Sequence, residues 1–212
     1  LTIEQTIDMI IHASDAIIRN KEYLTEVDSK IGDGDHGIGM SGGMEKAKAA
    51  LESGRPFSDI NSIFKLTGMT MLNSMGGASG VIFGSMFLSG VKGMEVITEL
   101  NGENLTKLLR NSLEAIKTRG GAQVGDKTMV DALEPAVVAM ENHDKEDLVS
   151  LLAAAAEAAK QGVENTKGYA AKFGRAKSLL ERAIGHQDAG ATSVAIIISA
   201  MQEYVHSLTR NG

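Results

Sequence analysis

Apolar side chains recur at the α-helical period along almost all of this chain, and that periodicity leaves few architectures open to it. Ile3, Ile7, Ile10, Ile11, Ile17 and Ile18 form one stripe with the small Ser14 set inside it. Thr2 is a candidate N-cap, with Gln5 three residues on completing a capping box. Similar patterns predict helices over about 39–52, 59–75, 80–93, 103–118, 129–141, 146–165 and 190–209. Val194-Ala195-Ile196-Ile197-Ile198 alone reads equally as a buried strand, but extension to Ala191, Met201, Val205 and Leu208 restores the helical period. Strand formers are scarce, with 4% aromatic residues and two prolines. The expectation is all-α: about eight antiparallel amphipathic helices with short loops, in a bundle or closed barrel, and residues 1–212 forming one domain.

Composition narrows the function. With 43% hydrophobic residues in 212, the chain can bury a substantial core. Its net charge of −6 argues against nucleic acid or an anionic membrane as the main partner. The absence of cysteine excludes disulfides, thiolate zinc sites and cysteine nucleophiles. No apolar run reaches the roughly 20 residues of a bilayer span, and no basic leader precedes the first helix, so a cytoplasmic location is expected.

One joint between helices concentrates charge. Asp28, Asp33 and Asp35 lie close together in Asp28-Ser29-Lys30-Ile31-Gly32-Asp33-Gly34-Asp35-His36-Gly37. Two carboxylates about 4 Å apart repel by roughly 4 kcal/mol at an effective dielectric near 20, so their convergence calls for a cation. An all-oxygen set favours magnesium, calcium or manganese; the bland alternative is a solvated acidic turn. Ser74-Met75-Gly76-Gly77-Ala78-Ser79-Gly80 runs into an apolar helical pattern, placing small residues where a helix start exposes free N–H groups to an anion. Gly185-His186-Gln187-Asp188-Ala189-Gly190 does the same before the last helix, where Asp188 could be only its N-cap. Asp126, in Gly125-Asp126-Lys127-Thr128-Met129, could likewise be only a cap. His12, His143 and His206 read as structural, whereas His36 and His186 sit in the glycine-rich joints.

Common motifs fail. Gly32-x-Gly34-x-x-Gly37 follows no clear strand, an EF-hand loop begun at Asp33 ends on Met44, and Walker, H-E-x-x-H and G-x-S-x-G patterns are absent. A carboxylate cluster combined with helix-start anion sites points instead to a polyphosphate bridged by magnesium, and so to phosphoryl transfer.

These residues carry a family resemblance. Asp28 with Ile31 to Gly37, Gly68-Met69-Thr70, Gly76 to Gly80, Gly125 to Met129, Gly174-Arg175-Ala176 and Gly185 to Ser193 together resemble the nucleotide-binding L subunits of dihydroxyacetone kinases, over essentially the whole chain. The resemblance implies a closed eight-helix barrel with the nucleotide in the loops at one end. It implies that Asp28, Asp33 and Asp35 ligate two magnesium ions bound to ADP or ATP. His36, Gly37, Ile38 and Gly39 would line the phosphates, and Gly77, Ala78 and Ser79 would donate N–H groups to them. Gly120 and Met129 would flank adenine and ribose, while Arg175 with Asp188, Ala189 and Gly190 would form a lid. None of these is a covalent nucleophile or general base.

By the same resemblance, a separate K subunit holds the ketone covalently on a histidine. ADP stays bound and is recharged by a phosphohistidine protein of the phosphoenolpyruvate:sugar phosphotransferase system. A homodimer is one assembly open to such a chain. Two departures fall at the nucleotide: Gly39 stands where these subunits usually carry Asn, and Ala189 where they usually carry Pro. Alternatives are an ATP-dependent kinase subunit for another short ketose such as a ketotetrose, a magnesium-dependent phosphohydrolase, and a non-catalytic nucleotide-bound regulator.

Overall fold

The computed structural model describes residues 1–210 and contains no strand among them. Among the described residues nine α-helices follow one another: α1 (Ile3–Arg19), α2 (Lys21–Ser29), α3 (His36–Gly54), α4 (Ile60–Ser74), α5 (Gly77–Gly90), α6 (Gly102–Gly120), α7 (Val130–Glu141), α8 (Leu148–Thr166) and α9 (Ala189–Arg210). A 3-10 helix, Arg175–Ala183, lies between α8 and α9. Neighbours pack in sequence from α3 to α9, α1 packs on both α3 and α9, and the ring thereby closes. Eight helices form an up-and-down barrel, and α2 lies chiefly against α3. No helix among the described residues is long and apolar enough to cross a membrane.

The interior is filled by the apolar stripes. Ile7, Ile10 and Ile17 of α1 meet Met40 and Met44 of α3 and Ile197 and Ile198 of α9 in one continuous core. Phe64 of α4 stacks on Phe87 of α5 with ring centroids 6.3 Å apart. The expected capping box forms, Gln5 N donating to Thr2 Oγ1 at 3.2 Å and Thr2 N to Gln5 Oε1 at 2.9 Å. Pro135 lies inside α7 and cannot donate to the Asp131 carbonyl one turn back. Gly162 of α8 sits on that carbonyl, where a Cβ would collide with it, so α7 and α8 approach closely at this point.

Three differences from the sequence reading bear on the site. α2 was not expected as a separate helix, and it carries Asp28 in its last turn. α3 and α5 start at His36 and Gly77, three residues ahead of the expected 39 and 80, because packing in the barrel outweighs the low helix propensity of their glycines. The 3-10 helix occupies a stretch to which the apolar period assigned nothing.

Candidate functional site

All four connections at one end of the barrel, those entering α3, α5, α7 and α9, surround a cavity of about 380 Å³. On one wall, ligand oxygens of Asp28, Asp33 and Asp35 all lie within 4.8 Å of one another. The loop is folded tightly enough to bring them there: Gly32 N donates to Asp28 O at 2.6 Å, and the Asp28 side chain accepts from His36 N at 3.2 Å. Burial, then the neighbouring Asp33 and Asp28 carboxylates, push the Asp35 carboxyl above the ordinary aspartate range. A divalent cation relieves that repulsion, and three hard oxygens fit magnesium better than a softer metal.

Gly77, Ala78 and Ser79, which also line the cavity, open α5. No side chain caps this helix, so its first-turn amides carry the helix dipole's positive end without a protein acceptor from the N-cap. Gly77 has φ of +69°, a left-handed conformation that suits glycine and turns the chain abruptly from α4 into α5.

Met129, Asp188, Ala189 and Gly190 line the remaining walls. Asp188 caps α9, accepting from Ala191 N at 2.7 Å. Burial, with Asp131 and Asp28 nearby, pushes its carboxyl up to about 7 despite that bond. Asp126, by contrast, does not cap α7: it accepts from Gln123 N at 2.8 Å and from Lys172 Nζ at 2.6 Å. No side chain at the N-cap position caps α7; the buried Asp131 carboxylate in its first turn instead braces the loop before it, accepting from Gly125 N at 2.6 Å and Thr128 N at 2.7 Å. Arg175 begins the 3-10 helix and reaches Asp33 Oδ2 with Nε at 2.8 Å, laying a guanidinium against the acidic wall.

His36 also borders the cavity, but its imidazole is engaged by the protein. Nε2 is 2.8 Å from Ser193 Oγ, the ring packs on Phe83 with centroids 5.9 Å apart, and burial holds its pKa below the ordinary value. Gly37, Ile38, Gly39 and Gly120 do not line the cavity. A Cβ on Gly37 would run into the Lys21 carbonyl and Thr25, so this glycine lets α2 approach α3. Ile38 is 58% exposed, and Gly120 is exposed at the end of α6. The sequence reading gave no separate role to Lys127, Thr128 and Phe173, which do line it. Lys127 had a signal, lying in a quoted glycine-rich block, but nothing in the sequence marks a lysine with φ of 61°.

A barrel closed by helices, with an acidic trio and an uncapped helix start lining one cavity, is a helical fold whose loops suit a hard cation and an anion together. A DAK2-domain model matches residues 30–203, and the chain belongs to that family. It is 42% identical over 182 residues to the ADP-binding subunit of PEP-dependent dihydroxyacetone kinase 1 of Listeria innocua, covering 86% of each chain. The corresponding Escherichia coli subunit is 37% identical over 199 residues, covering 93% of this chain and 94% of that one. The dihydroxyacetone kinase of Citrobacter freundii, solved with AMP-PNP and Mg2+, superposes with a TM-score of 0.71 at 27% identity. That match spans 93% of this chain but 33% of the longer kinase.

Proposed function

We propose that this chain is the nucleotide-binding subunit of a kinase that phosphorylates dihydroxyacetone held on a separate K subunit. The observation that carries the reading is that the acidic trio and the uncapped start of α5 line one cavity. Similarity over most of their length to ADP-binding subunits of PEP-dependent kinases supports the substrate and favours ADP as a retained cofactor. In this reading residues 1–212 form one nucleotide-binding unit in the cytoplasm, and a phosphohistidine protein of the phosphotransferase system recharges the ADP in place.

Asp28, Asp33 and Asp35 would hold two magnesium ions, which neutralise phosphate charge when bound. The α5 amides orient the phosphates, Met129 offers an apolar surface to the base, and Arg175 with Asp188, Ala189 and Gly190 excludes water from above. The chain contributes position and charge and forms no covalent intermediate. Hydrolysis is less well supported, because the His36 imidazole is engaged by Ser193.

Calorimetric titration with ADP tests the assignment. Magnesium-dependent binding is expected, together with phosphoryl transfer to dihydroxyacetone only when a K subunit and a phosphohistidine donor are added. Asp35→Asn should abolish the metal-dependent part of binding while far-UV circular dichroism stays unchanged. Wild-type affinity in that variant, or equal ADP binding in EDTA, overturns the metal site. Phosphate release from ATP without any partner would favour the hydrolase.

A further inference from the structure

The segment 167–188 leaves α8 at Thr166 and enters α9 at Ala189, and its two ends return to one place. Gly185 N donates to Lys167 O at 2.7 Å, and Asp188 N donates to Thr166 Oγ1 at 3.0 Å. Beneath this neck lies Lys127, 2% exposed, whose ammonium donates to Thr166 O at 2.6 Å and to His186 O. Thr166 is fully buried. One cation thus bonds the end of α8 and the end of the returning segment.

The segment also touches the barrel further out, through Lys172 on Asp126 and Arg175 on Asp33. Those two cationic side chains are 65% and 77% exposed, so water and salt weaken both pairs. At the neck the two Lys127 bonds are charge-assisted, and the one to Thr166 O is buried, which makes this the stronger attachment. Lys127 adopts a left-handed φ of 61°, uncommon for a side chain of its size, and strain of this kind persists where surrounding bonds fix it. Its ammonium is spent on carbonyls of the neck, of which that of Thr166 also accepts from Tyr169 N at 3.2 Å just past the end of α8.

We infer that Lys127 and Thr166 form a positioning clamp at the neck of this lid, and that the clamp sets how long a bound nucleoside diphosphate stays. The inference rests on reading the cavity as a nucleotide site. Loosening the neck frees the lid to swing off the cavity without altering the acidic trio or the α5 start, so release accelerates while capture does not.

The test is stopped-flow displacement of a fluorescent ADP analogue from the full chain in magnesium, for the wild type, Lys127→Met, Lys127→Arg and Thr166→Val. Lys127→Met should release the analogue ~tenfold faster with an association rate within ~twofold of wild type, the usual division when contacts are lost after encounter. Lys127→Arg restores a cation and should recover most of the slow release, which lost packing alone would not do. Thr166→Val should shift release in the same direction. Trypsin cleavage at Lys172, Arg175, Lys177 and Arg182 of the nucleotide-free proteins gives a second readout, expected to quicken in Lys127→Met and Thr166→Val. That readout judges the clamp even if wild type binds no nucleotide, a result that would sink the nucleotide reading alone. Wild-type release and cleavage rates in both Lys127→Met and Thr166→Val overturn the clamp. If circular dichroism shows Lys127→Met unfolded, Thr166→Val decides by the same criterion.

Discussion

Carboxyl groups at the mouth of this barrel are kept together at a cost, and Asp188 shows it most clearly. Its carboxyl, pushed up to about 7 chiefly by burial, stays protonated over a range in which an unfolded chain has lost the proton. Between the ordinary aspartate value of about 3.9 and about 7, the folded protein therefore binds more protons, and its stability falls as pH rises. Above that window the loss is complete. Asp188→Asn retains an oxygen that can accept from Ala191 N but has no charge to desolvate. The metal-free variant should be more stable than wild type at pH 8, on the order of 2 kcal/mol, and the difference should fade toward pH 4. Thermal denaturation in EDTA across that range measures it, and a difference independent of pH would mean that the Asp188 carboxylate is already comfortable in the fold.

At the scale of helices, function depends on where they begin. The uncapped start of α5 would lose its turn if Gly77 carried a β-branched side chain, since φ of +69° is costly for any residue other than glycine. A Cβ there meets nothing within 4 Å, so the penalty is in the backbone and not in packing. Gly77→Val should cost about 1–2 kcal/mol of stability and weaken nucleotide binding at least tenfold, as read by thermal melting and calorimetry. Unchanged affinity would remove the α5 amides from the site. This same glycine shows what the sequence does and does not disclose. Long apolar stripes such as that of α1 were legible because burial repeats every turn. The starts of α3 and α5 were not, because glycine reads locally as loop and only packing makes it helix. α2 escaped because it is nine residues long and buries only Leu24 and Val27. The convergence of Asp28, Asp33 and Asp35 was legible because charge density survives without a fold. Lys127 was not, because its partners, Thr166 and His186, come from distant parts of the chain.

For the whole molecule, the ring has one consequence that none of its helices has alone. The cavity is walled by segments around 28–36, 76–83, 127–129 and 173–190, drawn from the beginning, middle and end of the sequence. A ligand seated there touches all four connections at one end, and the ring closes only when α9 packs on α1 and α8. Binding should therefore stabilise the barrel as a unit and not merely quiet its loops. Anything that binds the folded state alone adds RT ln(1 + [L]/Kd), about 2.7 kcal/mol at a hundredfold excess over Kd. In a chain of this size that corresponds to a rise of roughly 5–10 °C in Tm. Magnesium with ADP should move a single cooperative transition by that amount, and EDTA should return it to the starting value. Hydrogen exchange separates the alternatives: a cooperative ring gains protection in the buried middle of α1 and α9, far from the cavity, whereas a local effect protects only the four connections. Protection confined to those connections, with Tm unmoved, would mean that the mouth opens and closes independently of the barrel that carries it.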